Sequence, residues 1–536
     1  MNDLYIGIDY GTLSARAVLV SSNDASVVAE ATYTYPHGVI TGSIPNGAGI
    51  PPEYALADPN DYREALIYCL NEVMKSVAGE ESCVKGIGIS ATTYTMVPCY
   101  SDGTALAEHV ENRNIPMAYI KLWKHHGAAN QADRIAKLNE EEKCFPAIER
   151  YGHCVNCEWA LPKLLETYEE APDVYAKADR FCDLGEWLTW MLTGKCVNSL
   201  YSAGFKCMWT PEHGFPTSEA LDKLAEGFGN AVYAKFTGET YGYEKPCGYV
   251  TKEASQLFGV PEGIPVASPM GDGSAPGVFF CIANPDALAI TLGTSVAMAF
   301  VSDKFRPIPG INGVVKDGIV PGYYSYDAGQ PCAGDMLSWF MSNQVPKEYY
   351  EAAEKENCSI HDYLGRKAAG NCPERNRITV MDWFNGNRSI LNNASLRGSV
   401  LGLSLETKPE DIYCAMVQGI ACGMKVILDF LKENGIEFKK IIVCGGIAEK
   451  SEFIRQQYSN ILGRELLVSS QSRITALSSA MLADIAAGTP MIQSAENMSR
   501  GTFLHVLPDA DHTSEYNLIY QRYKRYHDIL SSISAD

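Results

Sequence analysis

The 536-residue chain carries 44 Lys and Arg against 64 Asp and Glu, a formal net charge of −20, with 46% hydrophobic and 20% charged residues. At roughly 100–200 residues per domain, this length predicts at least two sizeable domains, and the composition excludes disordered, collagen-like and coiled-coil chains. The acidic balance also excludes nucleic acid and anionic membrane as partners, since both need a basic face. A phosphate ligand stays compatible, because backbone N–H groups and a metal ion hold one locally.

The 17 cysteines are odd in number and show no paired spacing, which predicts reduced, packed thiols. Cys154 and Cys157 form a lone C-x-x-C without the second pair that a zinc site needs. Met1-Asn2-Asp3 leads straight into a strand-like run, without a basic and apolar leader. No window approaches about 18 uninterrupted apolar residues, so no transmembrane helix is expected. A cytoplasmic chain follows as the expectation.

In chain order, residues 4–9, 15–20 and 26–35 are β-rich runs too close together for parallel pairing, and they predict an antiparallel meander. Tyr62, Leu66, Cys69, Leu70 and Val73 then recur at helical spacing behind Asp58-Pro59, predicting a helix over 61–77. Residues 84–90 return as a buried strand. Glycine and proline cluster over 247–263, where a domain boundary is expected. Beyond it the grammar repeats: an apolar run at 287–292, a turn at Gly293-Thr294-Ser295, and a β-rich run at 296–301. Residues 440–444 read as a strand, Gly445-Gly446 as a tight turn, and 452–462 as a helix. Tyr516, Tyr520, Tyr523, Leu530 and Ile533 share one face of a final helix, which is expected to dock.

The familiar phosphate motifs mostly fail. No G-x-x-x-x-G-K-[ST] occurs, and Gly86-Ile87-Gly88-Ile89-Ser90-Ala91 matches the dinucleotide fingerprint with glycines inside a strand instead of after it. Ile8-Asp9-Tyr10-Gly11-Thr12 is more informative. A carboxylate at a strand end before a glycine turn suits a hydrated Mg²⁺ beside phosphate oxygens, although alone it is also a plain hairpin. Leu292-Gly293-Thr294-Ser295 supplies a second such turn, and Gly445-Gly446-Ile447-Ala448 lets a ribose or flat ring approach backbone. Asp272, flanked by Gly271 and Gly273, suits a general base or a type I turn equally. Lys206 and Asp327 stand beside small residues where a ligand can approach or simply face solvent.

In this order the four glycine motifs resemble those of the FGGY carbohydrate kinases. The likeness extends through Pro162-Lys163-Leu164 and residues 187–194 and covers nearly the whole chain. It implies an α/β fold of two ribonuclease-H-like, actin/hexokinase-type domains flanking an ATP and sugar cleft. The expected divisions are an N-terminal domain over 1–255 on the sugar side with the first phosphate turn, a nucleotide-binding C-terminal domain with the catalytic Asp over 256–500, and a docking helix over 501–536.

Within the family, residues 122–126, Cys157-Glu158-Trp159, residues 203–206, Ala328-Gly329-Gln330 and especially Asp382-Trp383-Phe384-Asn385-Gly386-Asn387-Arg388 resemble the ribulokinases. The resemblance implies Asp272 as the base, Asp9 as the Mg²⁺ residue, and Gly11, Thr12, Gly293 and Thr294 along the phosphates of ATP. Gly445, Gly446 and Ala448 would border the nucleoside, with Arg16 as electrostatic support or a surface residue. Lys206 and Asp327 would hold sugar hydroxyls, with Thr93 at the pocket edge.

The implied reaction is phosphorylation of a pentulose at its terminal hydroxyl, L-ribulose at O5 first, with D-ribulose, xylulose and ribitol as alternatives. Asp327 stands where ribulokinases tend to have Glu, Ser90 where an acidic residue is common, and the Asp272 loop is shorter by one residue. These departures surround the sugar and bear on which ketose is preferred. A small-molecule sugar partner is implied, and a homodimer is compatible. An actin-like ATP-binding regulator or filament subunit uses the same turns without a sugar pocket. A dehydrogenase built on Gly86 to Ala91 ranks last.

Overall fold

The computed structural model describes residues 3–369, 377–501 and 503–533. Strands Leu4–Tyr10, Ser14–Ser21 and Val27–Thr34 form the antiparallel meander that their short connections require. Helix Pro59–Met74 follows, started by the Asp58 carboxylate accepting from the Asn60 N–H at 3.0 Å. It crosses to Val84–Ala91, which pairs parallel with the first strand, aligning Asp9 with Ser90.

The second half repeats the plan. Ala287–Leu292 and Val296–Ser302 form a hairpin, Tyr324–Gln330 pairs antiparallel with the second of these, and Lys440–Cys444 lies parallel to the first. Each half therefore holds one seven-stranded mixed sheet. A further four-stranded sheet takes Leu56–Ala57 from before the first helix and its other three strands from after Val84–Ala91, where the chain also inserts helices including Ala160–Glu170 and Leu200–Lys206.

The chain leaves the first sheet only after Gly271. Pro265–Val266 and Met270–Gly271 both pair parallel with Val84–Ala91, beyond the expected division at 255/256. Helix Ala275–Cys281 then crosses to the second sheet. The return crossing is helix Ile474–Ala486, which comes late in the sequence yet packs on the first sheet. The two crossing helices touch, with the Ser478 hydroxyl donating to the Ala275 carbonyl at 2.8 Å. The layers run sheet, helix, helix, sheet, around a core shared by both halves.

That layering explains Gly86 and Gly88. A Cβ at Gly88 would overlap the Ser479 carbonyl, one at Gly7 the Ala476 carbonyl, and one at Gly86 would lie 3.0 Å from the Ala483 carbonyl. These glycines seat a helix against the sheet and leave no room there for a dinucleotide. The facing side of the helix is correspondingly small: Ala476, Ser479, Ala480 and Ala483 recur at i, i+3, i+4 and i+7.

Helix Pro409–Glu433 is long and apolar enough to pass for a membrane span, despite the expectation of none. Its apolar window is 78% buried, as the central helix of the C-terminal core. The final helix, Thr513–Ile533, docks on it through Tyr516, Tyr520 and Tyr523, and the Tyr520 hydroxyl donates to Asp429 at 2.6 Å. Leu530 packs partly against the core, whereas Ile533 is 64% exposed, so the expected face is buried along only part of its length.

Gly88→Ala places a methyl group into helix backbone, which has no rotamer to yield. The expected cost is about 3 kcal/mol, read as a lowered denaturant midpoint. A change below about 0.5 kcal/mol would show that helix and sheet separate freely.

Candidate active site

Both sheets end their first strand on a glycine turn. The Gly11 N–H donates to the Ser14 carbonyl and the Gly293 N–H to the Ser295 carbonyl, each at 3.0 Å. Thr12 accepts from the Trp123 indole at 3.1 Å. The second turn is braced from behind, with the Ala333 N–H on the Thr294 carbonyl at 2.8 Å and the Gly334 N–H on the Gly293 carbonyl at 3.0 Å.

A cavity of about 440 Å³ lies between the lobes, lined by Asp9, Arg16, Thr32, Thr291, Gly445, Gly446 and Glu449 among others. Gly445 takes φ 103°, and a Cβ there would overlap the Leu292 carbonyl, so the position requires glycine. A Cβ at Gly446 would meet nothing within 4 Å, so the backbone here forms a bare shelf. Ala448 is fully buried in the C-terminal core and faces away from the cavity. Arg473, which caps helix Ile474–Ala486, closes one side by bonding Glu30 of strand Val27–Thr34 at 2.7 Å.

The sugar-side residues converge from three directions. Asp272 opens the turn before helix Ala275–Cys281 and accepts from the Gly273 N–H at 2.7 Å. Lys206 ends helix Leu200–Lys206, which lies directly against the second sheet because Gly204 leaves room for Val315. Tyr201, on that helix, donates to Ser274 at 2.8 Å. Thr93 packs against Gly271, where a Cβ would overlap its hydroxyl. Asp327 lies in strand Tyr324–Gln330 of the other lobe.

Burial dominates the electrostatics. It pushes Asp272 up to about 6, against the Gly273 N–H and the Lys206 ammonium. Asp9 is pushed up to about 7 by burial and by the Asp272 carboxylate, with Arg16 and Ser90 opposing. Asp327 is also raised by burial, against Arg388 and Lys206.

Lys206 further acts on Glu158, to which the sequence motifs assign no role. Burial raises that carboxyl, but a bond to His126 at 3.2 Å, Lys206 and Lys163 outweigh it and hold it below its usual range. Lys163 is wholly buried and donates to the Tyr94 and Leu122 carbonyls at 2.8 and 2.7 Å, supporting the segments that carry Thr93 and Trp123. Trp123, Glu158 and Arg388 all lie in segments that resemble the ribulokinases, but nothing in their local spacing marks them as cleft residues.

Asp9 and Asp272 are oxygen donors whose mutual repulsion a cation relieves, so they suit a hard divalent ion. Among the described residues no cluster of three or more His, Cys, Asp or Glu forms a cage. That set fits Mg²⁺ completed by phosphate oxygens and water, the usual arrangement for this ion.

Two like α/β lobes, each ending its first strand on a glycine turn, with a cavity between them lined by Asp9 and the Gly445-Gly446 shelf, have the plan of a phosphotransferase of the actin/hexokinase type. The FGGY carbohydrate kinase N-terminal domain matches residues 4–278 and the C-terminal domain residues 288–487. The chain belongs to this family and is a sugar kinase.

A ribulokinase of Geobacillus thermodenitrificans is 33% identical over 533 residues, covering 98% of this chain and 94% of that protein. Ribulokinase 1 of Staphylococcus saprophyticus is 34% identical over 531 residues, covering 98% and 97%. Among solved structures, xylulose kinase from Rhodospirillum rubrum superposes with a TM-score of 0.80 at 20% identity, covering 99% of this chain and 100% of that one. Plasmodium falciparum glycerol kinase with ADP gives 0.75 at 17%, covering 97% and 98%. These two likenesses speak for the fold alone.

Because Asp272 is raised from 3.8 to about 6 on folding, the folded state holds this proton more tightly than the unfolded chain. Its contribution to stability is full below the unfolded value and is lost as pH rises through about 6. Asp272→Asn is expected to raise Tm at pH 8, with the gain vanishing near pH 4 in thermal scans. An equal shift at both pH values would overturn this assignment.

Proposed function

We propose that the chain transfers the γ-phosphoryl group of ATP to the primary hydroxyl of a pentulose, converting L-ribulose to L-ribulose 5-phosphate. The observation that carries this reading is that the Lys206 ammonium, at the end of helix Leu200–Lys206, acts on both Asp272, which follows the last strand of the first sheet, and Asp327, in a strand of the second. A polyol fits such a place, since carboxylates accept from its hydroxyls and the ammonium donates to its oxygens. The substrate names of the ribulokinase relatives support the pentulose choice.

Phosphoryl transfer asks for positioning and charge compensation more than covalent catalysis. Asp272 accepts the O5 proton as the O5–Pγ bond forms and the bond from Pγ to the β-bridging oxygen breaks, releasing ADP. Lys206 orients the sugar between the two carboxylates. The glycine turns at Gly11-Thr12 and Gly293-Thr294 bring backbone near the phosphates, and the Gly445-Gly446 shelf borders the nucleoside. Mg²⁺ held at Asp9 offsets the charge of the phosphates when bound. Closure of the lobes excludes water from the transferred group.

A panel of ketopentoses and pentitols with ATP and Mg²⁺ tests the assignment, L-ribulose being expected to give the highest kcat/KM. ATP turnover indifferent to every sugar would favour the actin-like regulator instead. Asp272→Asn should lower sugar-dependent ADP release at least ~100-fold while nucleotide binding persists. In the parent enzyme, kcat/KM for sugar should fall below pH about 6, where Asp272 takes up its proton. A flat profile from pH 5 to 8 would remove Asp272 from the base role.

A further inference from the structure

Asp327 and Gly329 stand two residues apart on strand Tyr324–Gln330, and a Cβ at Gly329 would run into the Val296 carbonyl of the neighbouring strand. Arg388 lies beside Gly329. Its Nη2 donates to the Val296 carbonyl at 3.3 Å and would lie 2.6 Å from a Cβ at Gly329. The neighbouring Ser389 hydroxyl accepts from the Gly329 N–H at 3.1 Å and fixes the approach of the loop. Val296 opens the strand that follows the Gly293-Thr294-Ser295 turn. The guanidinium thus sits between the exit of the Gly293-Thr294-Ser295 turn and the strand that carries Asp327.

It is also under-satisfied. Its Nε is buried without a partner, and among the described residues no carboxylate lies within ion-pair distance of it. A buried guanidinium donor normally finds an acceptor, and the glycine beside this one, Gly329, is two residues along the strand from Asp327.

We propose that Arg388 is a positioning and specificity-determining residue of the sugar site, seated over bare Gly329 so that its charge keeps Asp327 an acceptor for a sugar hydroxyl. The charged groups acting on Asp327 are Arg388 and Lys206, and Asp327 in turn acts on the Tyr201 hydroxyl from the facing helix. Lys206 is shared with Asp272 and Glu158, which leaves Arg388 as the cation that serves Asp327 without also serving them.

This inference rests on the sugar-site reading of Asp327, and a double-mutant cycle separates the two. With the full chain, L-ribulose and ATP, Arg388→Met is expected to raise the sugar KM at least ~10-fold and leave the ATP KM within about 2-fold. Arg388→Lys, which keeps the charge without the fork, should recover part of that loss. In an Asp327→Asn background, Arg388→Met should add less than about 2-fold. Should Arg388→Met fail to fold, Arg388→Lys is compared in both backgrounds, with the same non-additivity expected. An effect of equal size in both backgrounds, or an equal rise in the ATP KM, would reduce Arg388 to a structural role and overturn the inference. An unchanged sugar KM in Asp327→Asn alone would instead overturn the sugar-site reading itself.

Discussion

The close seat of helix Ile474–Ala486 on a sheet stripped of side chains sets the rest of the molecule. With no Cβ at Gly7 or Gly88, the carbonyls of Ala476 and Ser479 occupy space that any other residue would fill. Strands Leu4–Tyr10 and Val84–Ala91 pass beneath the helix and end at Asp9 and Ser90. The helix begins beside them at Arg473, which reaches Glu30. The bond from Ser478 to Ala275 then locks in the second crossing helix, and Asp272 lies just upstream of it. One packing contact therefore places the metal candidate, the candidate base and one wall of the cleft.

The second theme is charge held away from water. A chain of net charge −20 gathers Asp272, Asp327 and Glu158 around Lys206, and Asp9 beside Arg16. Burial raises three of these four carboxyls, while His126 and two lysines hold Glu158 down. Carboxylates kept so close in a poorly solvated cleft are relieved by a cation on one side and by a hydroxylated ligand on the other. The site is thus arranged to prefer its occupied state, and acidity over the whole surface is no obstacle to an anionic nucleotide.

Much of this was legible in the residues. The meander, the parallel return at 84–90, the helix behind Asp58 and the strand–glycine–strand echo in the second half all follow from local periodicity and turn chemistry. Asp9, Asp272 and the glycine motifs were legible because a short motif encloses its own geometry. The role of Gly86 and Gly88 was not, since their partner lies some four hundred residues away in sequence. A run of small residues at helical spacing, from Ala476 to Ala483, was the available signal. The Ala448 side chain, which follows the same glycines, is buried in the C-terminal core.

The sequence alone determined the meander, the parallel return, the strand–glycine–strand echo, the order of the motifs and the family, because hydrophobic period and glycine turns act over a few residues, whereas helices such as Pro409–Glu433 and Ile474–Ala486 came only with the structure. Its length and charge predicted two domains and the need for local compensation of anions. Only the tertiary structure decided which groups supply that compensation. Lys206 acts on Asp327 from a helix that rests on the second sheet where Gly204 leaves room for Val315, and Arg388 packs beside bare Gly329, two residues along the same strand. Such contacts join residues far apart in the chain, and their specificity lies in what backbone and side chain leave unfilled.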